Sequence, residues 1–197
     1  MYRKEKVFRT LAGVFFILSG TCIIDAALVK SIYYAIKYGT KVFMYLFMSP
    51  VSIAKGSLLI LCGLLYIFRK KYLFLAVSCF LFGIYLQTFI NVFYIPELRK
   101  TVLSETLTCL GLVMMGTFKN THHSGFRFFV YSEACSLLHA IAGIASTVYL
   151  LSIVKEILYA SYKIPFLAGM IMIFYELEAA NQKEDVFCVT HSEEEKQ

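Results

Sequence analysis

The sequence predicts an all-α fold: a polytopic bundle of membrane-spanning helices. Three observations predict it. Of 197 residues, 59% are hydrophobic and only 16% charged, against roughly 25% charged in ordinary soluble domains. The mean hydropathy is +0.69. The apolar residues also fall into long runs that basic clusters and prolines interrupt. A water-soluble globule of this length could not bury so much apolar surface in one core, whereas a bilayer removes the need to bury it.

Each run can be judged against the ~20 residues needed to cross ~30 Å of hydrocarbon. The first covers residues 7–28, behind Arg3, Lys4, Lys6 and Arg9. Its small residues Ser19 and Gly20 lie inside the run, not after it as a signal-peptide cleavage site would, so the segment is expected as a retained span. The second, 48–68, opens near Pro50, a good first-turn residue, and stops at Arg69-Lys70-Lys71. The third, 72–95, is closed by Pro96 and the charged Glu97-Leu98-Arg99-Lys100. A fourth, 101–118, runs into the polar loop 119–125, and a fifth covers 126–154. The last, 164–175, is too short alone; it crosses only if it starts near Ile157 and accommodates Lys163 and Pro165. About six spans result, with five as the alternative.

Between the first two spans, residues 30–45 place Lys30, Lys37 and Lys41 among tyrosines and phenylalanines. That composition suits the headgroup layer, so an amphipathic interfacial helix is expected, with a re-entrant segment as the alternative. Residues 1–175 thus form a transmembrane domain. Residues 176–197, ending His191-Ser192-Glu193-Glu194-Glu195-Lys196-Gln197, form a polar, mobile, cytosolic tail.

With six spans both termini share one side. That side holds eleven Lys and Arg residues against seven on the other, which puts the termini in the cytosol. The net charge of +6 belongs to membrane interfaces, and no nucleic-acid partner is expected. Cys22, Cys62, Cys79, Cys109, Cys135 and Cys188 form no CxxC pair; His122 and His123 have no third ligand nearby; no metal or cofactor is expected. No phosphate loop, HExxH or GxSxG is present, so the reading is of a non-enzyme. Gly13 and Gly20, Gly56 and Gly63, and Gly111 and Gly116 mark close helix packing.

Charged groups at membrane depth carry the functional signal, because each costs ~3 kcal/mol or more when it faces lipid. Asp25, Lys55 and Glu105 fall towards the side away from the termini, and Gln87 lies near the midplane with Asn91 and His139. Asp25, Lys55, Gln87 and Glu105 are the candidate ligand-binding residues. A polar cavity is one reading; water-facing acids and a snorkelling lysine are the other. Glu133 is expected near the opposite face, within reach of Arg127 or Lys119.

The stretch Leu81-Phe82-Gly83-Ile84-Tyr85-Leu86-Gln87-Thr88, continuing through Asn91 to Gly116, resembles the surfeit locus protein 4 family of endoplasmic-reticulum cargo receptors. The acidic Asp25 at the end of the first span and Leu137-Leu138-His139 are compatible with it. Residues 9–20 resemble the opening helix of DoxX-type membrane proteins of the same superfamily. The resemblance implies a receptor that binds soluble secretory proteins on the lumenal side, recruits vesicle coat components, and cycles between endoplasmic reticulum and early Golgi. Such receptors read short, partly apolar N-terminal cargo segments, so Asp25, Lys55 and Glu105 beside apolar faces could hold a free amine and an apolar side chain. The family's lysine-rich retrieval signal is replaced here by Glu194 and Glu195. The alternatives are a small-solute or ion transporter using Asp25, Lys55 and Glu105, and a DoxX-like accessory subunit of a membrane redox complex.

Overall fold

The structure, a computed structural model, describes residues 2–38, 50–117, 123–146 and 150–194. Among these it holds six helices and no strand: α1 (Tyr2–Tyr38), α2 (Pro50–Ile67), α3 (Lys71–Asn91), α4 (Pro96–Thr117), α5 (His123–Ser146) and α6 (Leu150–Glu194). Four segments are long and apolar enough to cross a membrane: Glu5–Tyr38, Pro50–Ile67, Lys71–Asn91 and Glu156–Glu176. The chain is therefore an integral membrane protein. Helices α4 and α5 contribute the shorter apolar stretches Glu105–Met114 and Phe129–Ala145. Only 22–33% of each spanning window is buried within the chain. Outward residues such as Leu18, Phe80, Leu86 and Ile90 are left for lipid to cover.

Three sequence boundaries move. Helix α1 does not stop near residue 28 but continues unbroken to Tyr38, so the first part of the expected interfacial helix prolongs the first span. Its remainder, from residue 39, lies outside the described residues. The expected fifth run, 126–154, divides: α5 ends at Ser146, and residues 150–154 open α6. Helix α6 is 45 residues long with Pro165 inside it. Starting at residue 150 gives it the length that the short run 164–175 lacks. The helix also runs on through Glu194, past the point at which the sequence turns polar.

Each helix packs on its neighbours in sequence, and α6 returns to pack on α1, so the main contacts close a ring. The tightest approach is between α1 and α2. A Cβ added to Gly20 would meet the Gly56 carbonyl oxygen at 2.5 Å, and one on Gly63 would meet that of Gly13 at 2.5 Å. The two glycine pairs lie a heptad apart on each helix and let the antiparallel backbones touch. Helix α2 ends in a Schellman motif: Lys70 N–H donates to Leu65 O at 3.0 Å and Arg69 N–H to Tyr66 O at 3.2 Å. Arg69 takes the left-handed position at φ 57°, where glycine is the usual occupant. Its side chain gives the reason: Nη2 lies 2.9 Å from Glu5 Oε1 and ties the turn to the start of α1.

The glycines yield a paired prediction. Gly20→Val forces α1 from α2 and should destabilise the protein by ~1–3 kcal/mol. Gly83 on α3 has no atom within 4 Å of an added Cβ, so Gly83→Ala should be neutral or stabilising by up to ~1 kcal/mol. Thermal unfolding of the two variants in detergent measures the contrast.

Candidate functional site

The ring encloses a cavity to which all six helices contribute. Ser19 and Ile23 come from α1, Lys55 and Leu59 from α2, Leu81 and Tyr85 from α3. Glu105 and Cys109 come from α4, Glu133 from α5, Tyr162 and Phe166 from α6. About 20 Å³ is open to the centre of a water molecule, enough for one small polar group.

On the cavity wall, at Glu133, lies a buried ion pair. Lys163 Nζ sits 2.8 Å from Glu133 Oε1, with side chains 0% and 2% exposed. The Thr108 hydroxyl donates to Glu133 Oε2 at 2.9 Å. Lys163 donates to Ser136 Oγ at 2.8 Å and lies 4.6 Å from the centre of the Tyr159 ring. Such a pair holds together α4, α5 and α6, and is tolerable at this depth because both charges have further polar partners. Pro165, two residues on, lacks an N–H, so the Ser161 carbonyl loses its usual helical donor. In the same turn the Tyr162 carbonyl accepts from Ser19 Oγ at 2.7 Å, which fastens α6 to α1.

The second charged couple is looser. Tyr162 donates its hydroxyl proton to Glu105. Lys55 Nζ stands 4.0 Å above the centre of the Tyr85 ring, a cation–π distance. Among the described residues no carboxylate oxygen lies within 4.0 Å of it. Tyr85 is held from behind, where its carbonyl accepts from Thr106 Oγ1 at 3.3 Å.

Of the residues singled out in the sequence, the structure brings Lys55 and Glu105 to one cavity. Asp25 is exposed on α1, half a turn beyond the cavity residue Ile23. Gln87 is exposed on the outer side of α3, where it donates to Asn91 Oδ1 at 3.3 Å, and His139 is exposed on α5. Glu133 pairs with Lys163 and shares the cavity with Glu105; the expected contacts with Arg127 or Lys119 lie outside the described side chains. Lys163, which the last span had to accommodate, is fully buried. The signal that could have found it was a lysine two residues before a proline at the head of an apolar run. Among the described residues no group of three or more His, Cys, Asp or Glu could hold a metal. His122 lies outside those residues. Cys22, Cys62, Cys79, Cys109 and Cys135 are free thiols.

Towards the chain termini the interior turns apolar. Ala12, Phe16, Leu112, Met170 and Ile173 are at most 1% exposed, and the Phe16 and Phe166 ring centres lie 5.6 Å apart. Gly169 admits Phe16, whose ring would lie 2.9 Å from an added Cβ. Beyond this layer a second polar cluster joins the helix ends. Arg9 lies 3.8 Å from both Glu5 and Glu176, and Tyr66 donates to Glu176. Neither α1, α2 nor α6 carries a charged residue between the two clusters. The charged groups of the central cavity thus lie on one side of an apolar layer.

No protein-family model, curated protein or solved structure matches the chain.

Breaking the buried pair tests the site's foundation. Lys163→Met leaves Glu133 without its cation and should cost ~3–5 kcal/mol in denaturant unfolding, most of it recovered when Glu133→Leu is added. Equal losses in the single and double variants would show that the pair contributes packing alone.

Proposed function

We propose that the protein is a non-enzymatic receptor of the endoplasmic reticulum and early Golgi. It binds soluble secretory proteins from the lumenal side and delivers them to coated transport vesicles. The observation that carries this reading is the one-sided cavity: Lys55, Glu105 and Glu133 are grouped on it, and an apolar layer separates it from the end that holds the termini. A binding site for an external ligand needs access from one face; a conducting path needs polar groups through the whole thickness. Leu81 and Tyr85, within the stretch that resembles the surfeit locus protein 4 family, line the cavity, which ties the resemblance to the site. On this reading α4 and α5 also cross the bilayer, giving six spans.

A second reading, a small-solute or ion carrier, draws on the charges of Lys55, Glu105, Glu133 and Lys163 at membrane depth. Flux in reconstituted vesicles that survives neutralisation of Asp25, Lys55 and Glu105 together would rule it out.

The receptor reading is tested in microsomes with a photoreactive side chain at Leu59. Secretory proteins should crosslink to it, and Glu105→Gln should lower the yield about tenfold, the scale of one charge-assisted hydrogen bond. His139→Ala, on the outer face of α5, should leave the yield unchanged. No secretory client in the wild type overturns the proposal.

A further inference from the structure

The two lysines at membrane depth are held in different ways. Lys163 is sealed and committed: a carboxylate at 2.8 Å, a hydroxyl at 2.8 Å and a tyrosine ring surround it. Lys55 is half-buried on the cavity itself. Among the described residues it has no carboxylate within 4.0 Å and rests on the Tyr85 ring at 4.0 Å. A lysine kept only to balance Glu105 would be expected to pair with it, as Lys163 pairs with Glu133. Instead its ammonium occupies an aromatic platform in the cavity that Glu105 also lines, which is how proteins hold a cationic ligand.

We propose that Lys55 is a tethered occupant of an ammonium-binding site formed by Tyr85, Glu105 and Tyr162, and that a ligand's primary ammonium takes its place. The inference rests on the reading of the cavity as a ligand site and names the group that the site takes. Three features support it. About 20 Å³ remains open beside Lys55, room for one water-sized group, so a ligand's ammonium with its carbon stem enters only where the lysine withdraws. Lys55 lies in the second turn of α2, close to Pro50, and is partly exposed, so its flexible stem can withdraw its charge towards the helix start. The charge count also balances. Lys163 is committed to Glu133, so without Lys55 the carboxylate of Glu105 keeps the Tyr162 hydroxyl as its donor and a share of the Lys163 field, and a cation completes the site. Lys55 then acts as a built-in competitor, which sets a threshold for ligand amines and keeps the empty site neutral.

The test uses the purified full chain in detergent, n-propylammonium chloride as probe and tetramethylammonium chloride as the control for ionic strength. Thermal stability is read against concentration. Lys55→Met should show saturable stabilisation by propylammonium, half-saturating at a concentration at least about tenfold below that of the wild type. Lys55→Arg, which keeps a cation over the ring, should behave as the wild type. Lys55→Met combined with Glu105→Gln should lose the effect, and Lys55→Gln carries the same expectation as Lys55→Met if that variant does not fold. The inference is overturned if the neutral variants respond no more than to tetramethylammonium, or if Lys55→Arg gains as much as Lys55→Met. Cargo crosslinking separates the two ideas: capture without an ammonium response removes this inference alone. An ammonium response without capture removes the receptor reading and leaves the ammonium site.

Discussion

The buried pair of Lys163 and Glu133, 2.8 Å apart and with almost no solvent exposure, is the contact on which the interior depends. Neither charge could sit at that depth alone. Each fixes the helix that carries the other, and the hydroxyls of Thr108 and Ser136 complete the shell. Because Lys163 lies on α6 and Glu133 on α5, with Thr108 on α4, one polar knot aligns half of the ring. The cavity residues Glu105 and Tyr162 come into register as a consequence, one turn from Thr108 and one residue from Lys163.

The other half of the ring is set by shape. Backbone approach at Gly13–Gly63 and Gly20–Gly56 fixes α1 against α2 and so places Lys55 opposite Glu105. Ser19 and Phe16 then connect α1 to α6, one through a hydrogen bond to the Tyr162 carbonyl and one through the ring of Phe166. Polar contacts on one side of Phe16 and apolar ones on the other create a cavity with a floor. The floor, more than the charges, separates a binding site from a passage. At the far end Arg9, Arg69, Glu5, Glu176 and Tyr66 tie α1, α2 and α6 together.

Much of this was legible in the sequence, and what was not shares one cause. Apolar runs bounded by Pro50, Arg69 and Pro96 mark helices through local chemistry, and these appear close to where the residues indicate. The glycines of α1 and α2 likewise announced close packing. The partnership of Glu133 with Lys163 spans two helices and has no local signature, and sequence proximity points only to neighbouring cations. The boundary between α5 and α6 falls within a continuous apolar run, which offers hydropathy nothing to mark. Asp25 and Gln87 attract notice by residue type, yet helical phase turns both to the outside, and phase is what composition cannot read. Lys55 and Glu105 were visible singly; that they flank one cavity follows only from the closure of the ring.

The proposed receptor geometry requires that the cavity open to one side only, away from the termini. A single reactive cysteine at Ile23, in a chain whose native cysteines are replaced by alanine, tests it directly. In sealed vesicles of defined orientation, a membrane-impermeant thiol reagent should label that cysteine only from the side opposite the termini. Labelling from the termini side, at a rate equal to that of a cysteine placed at the exposed Tyr175, would contradict the closed apolar floor and with it the receptor geometry.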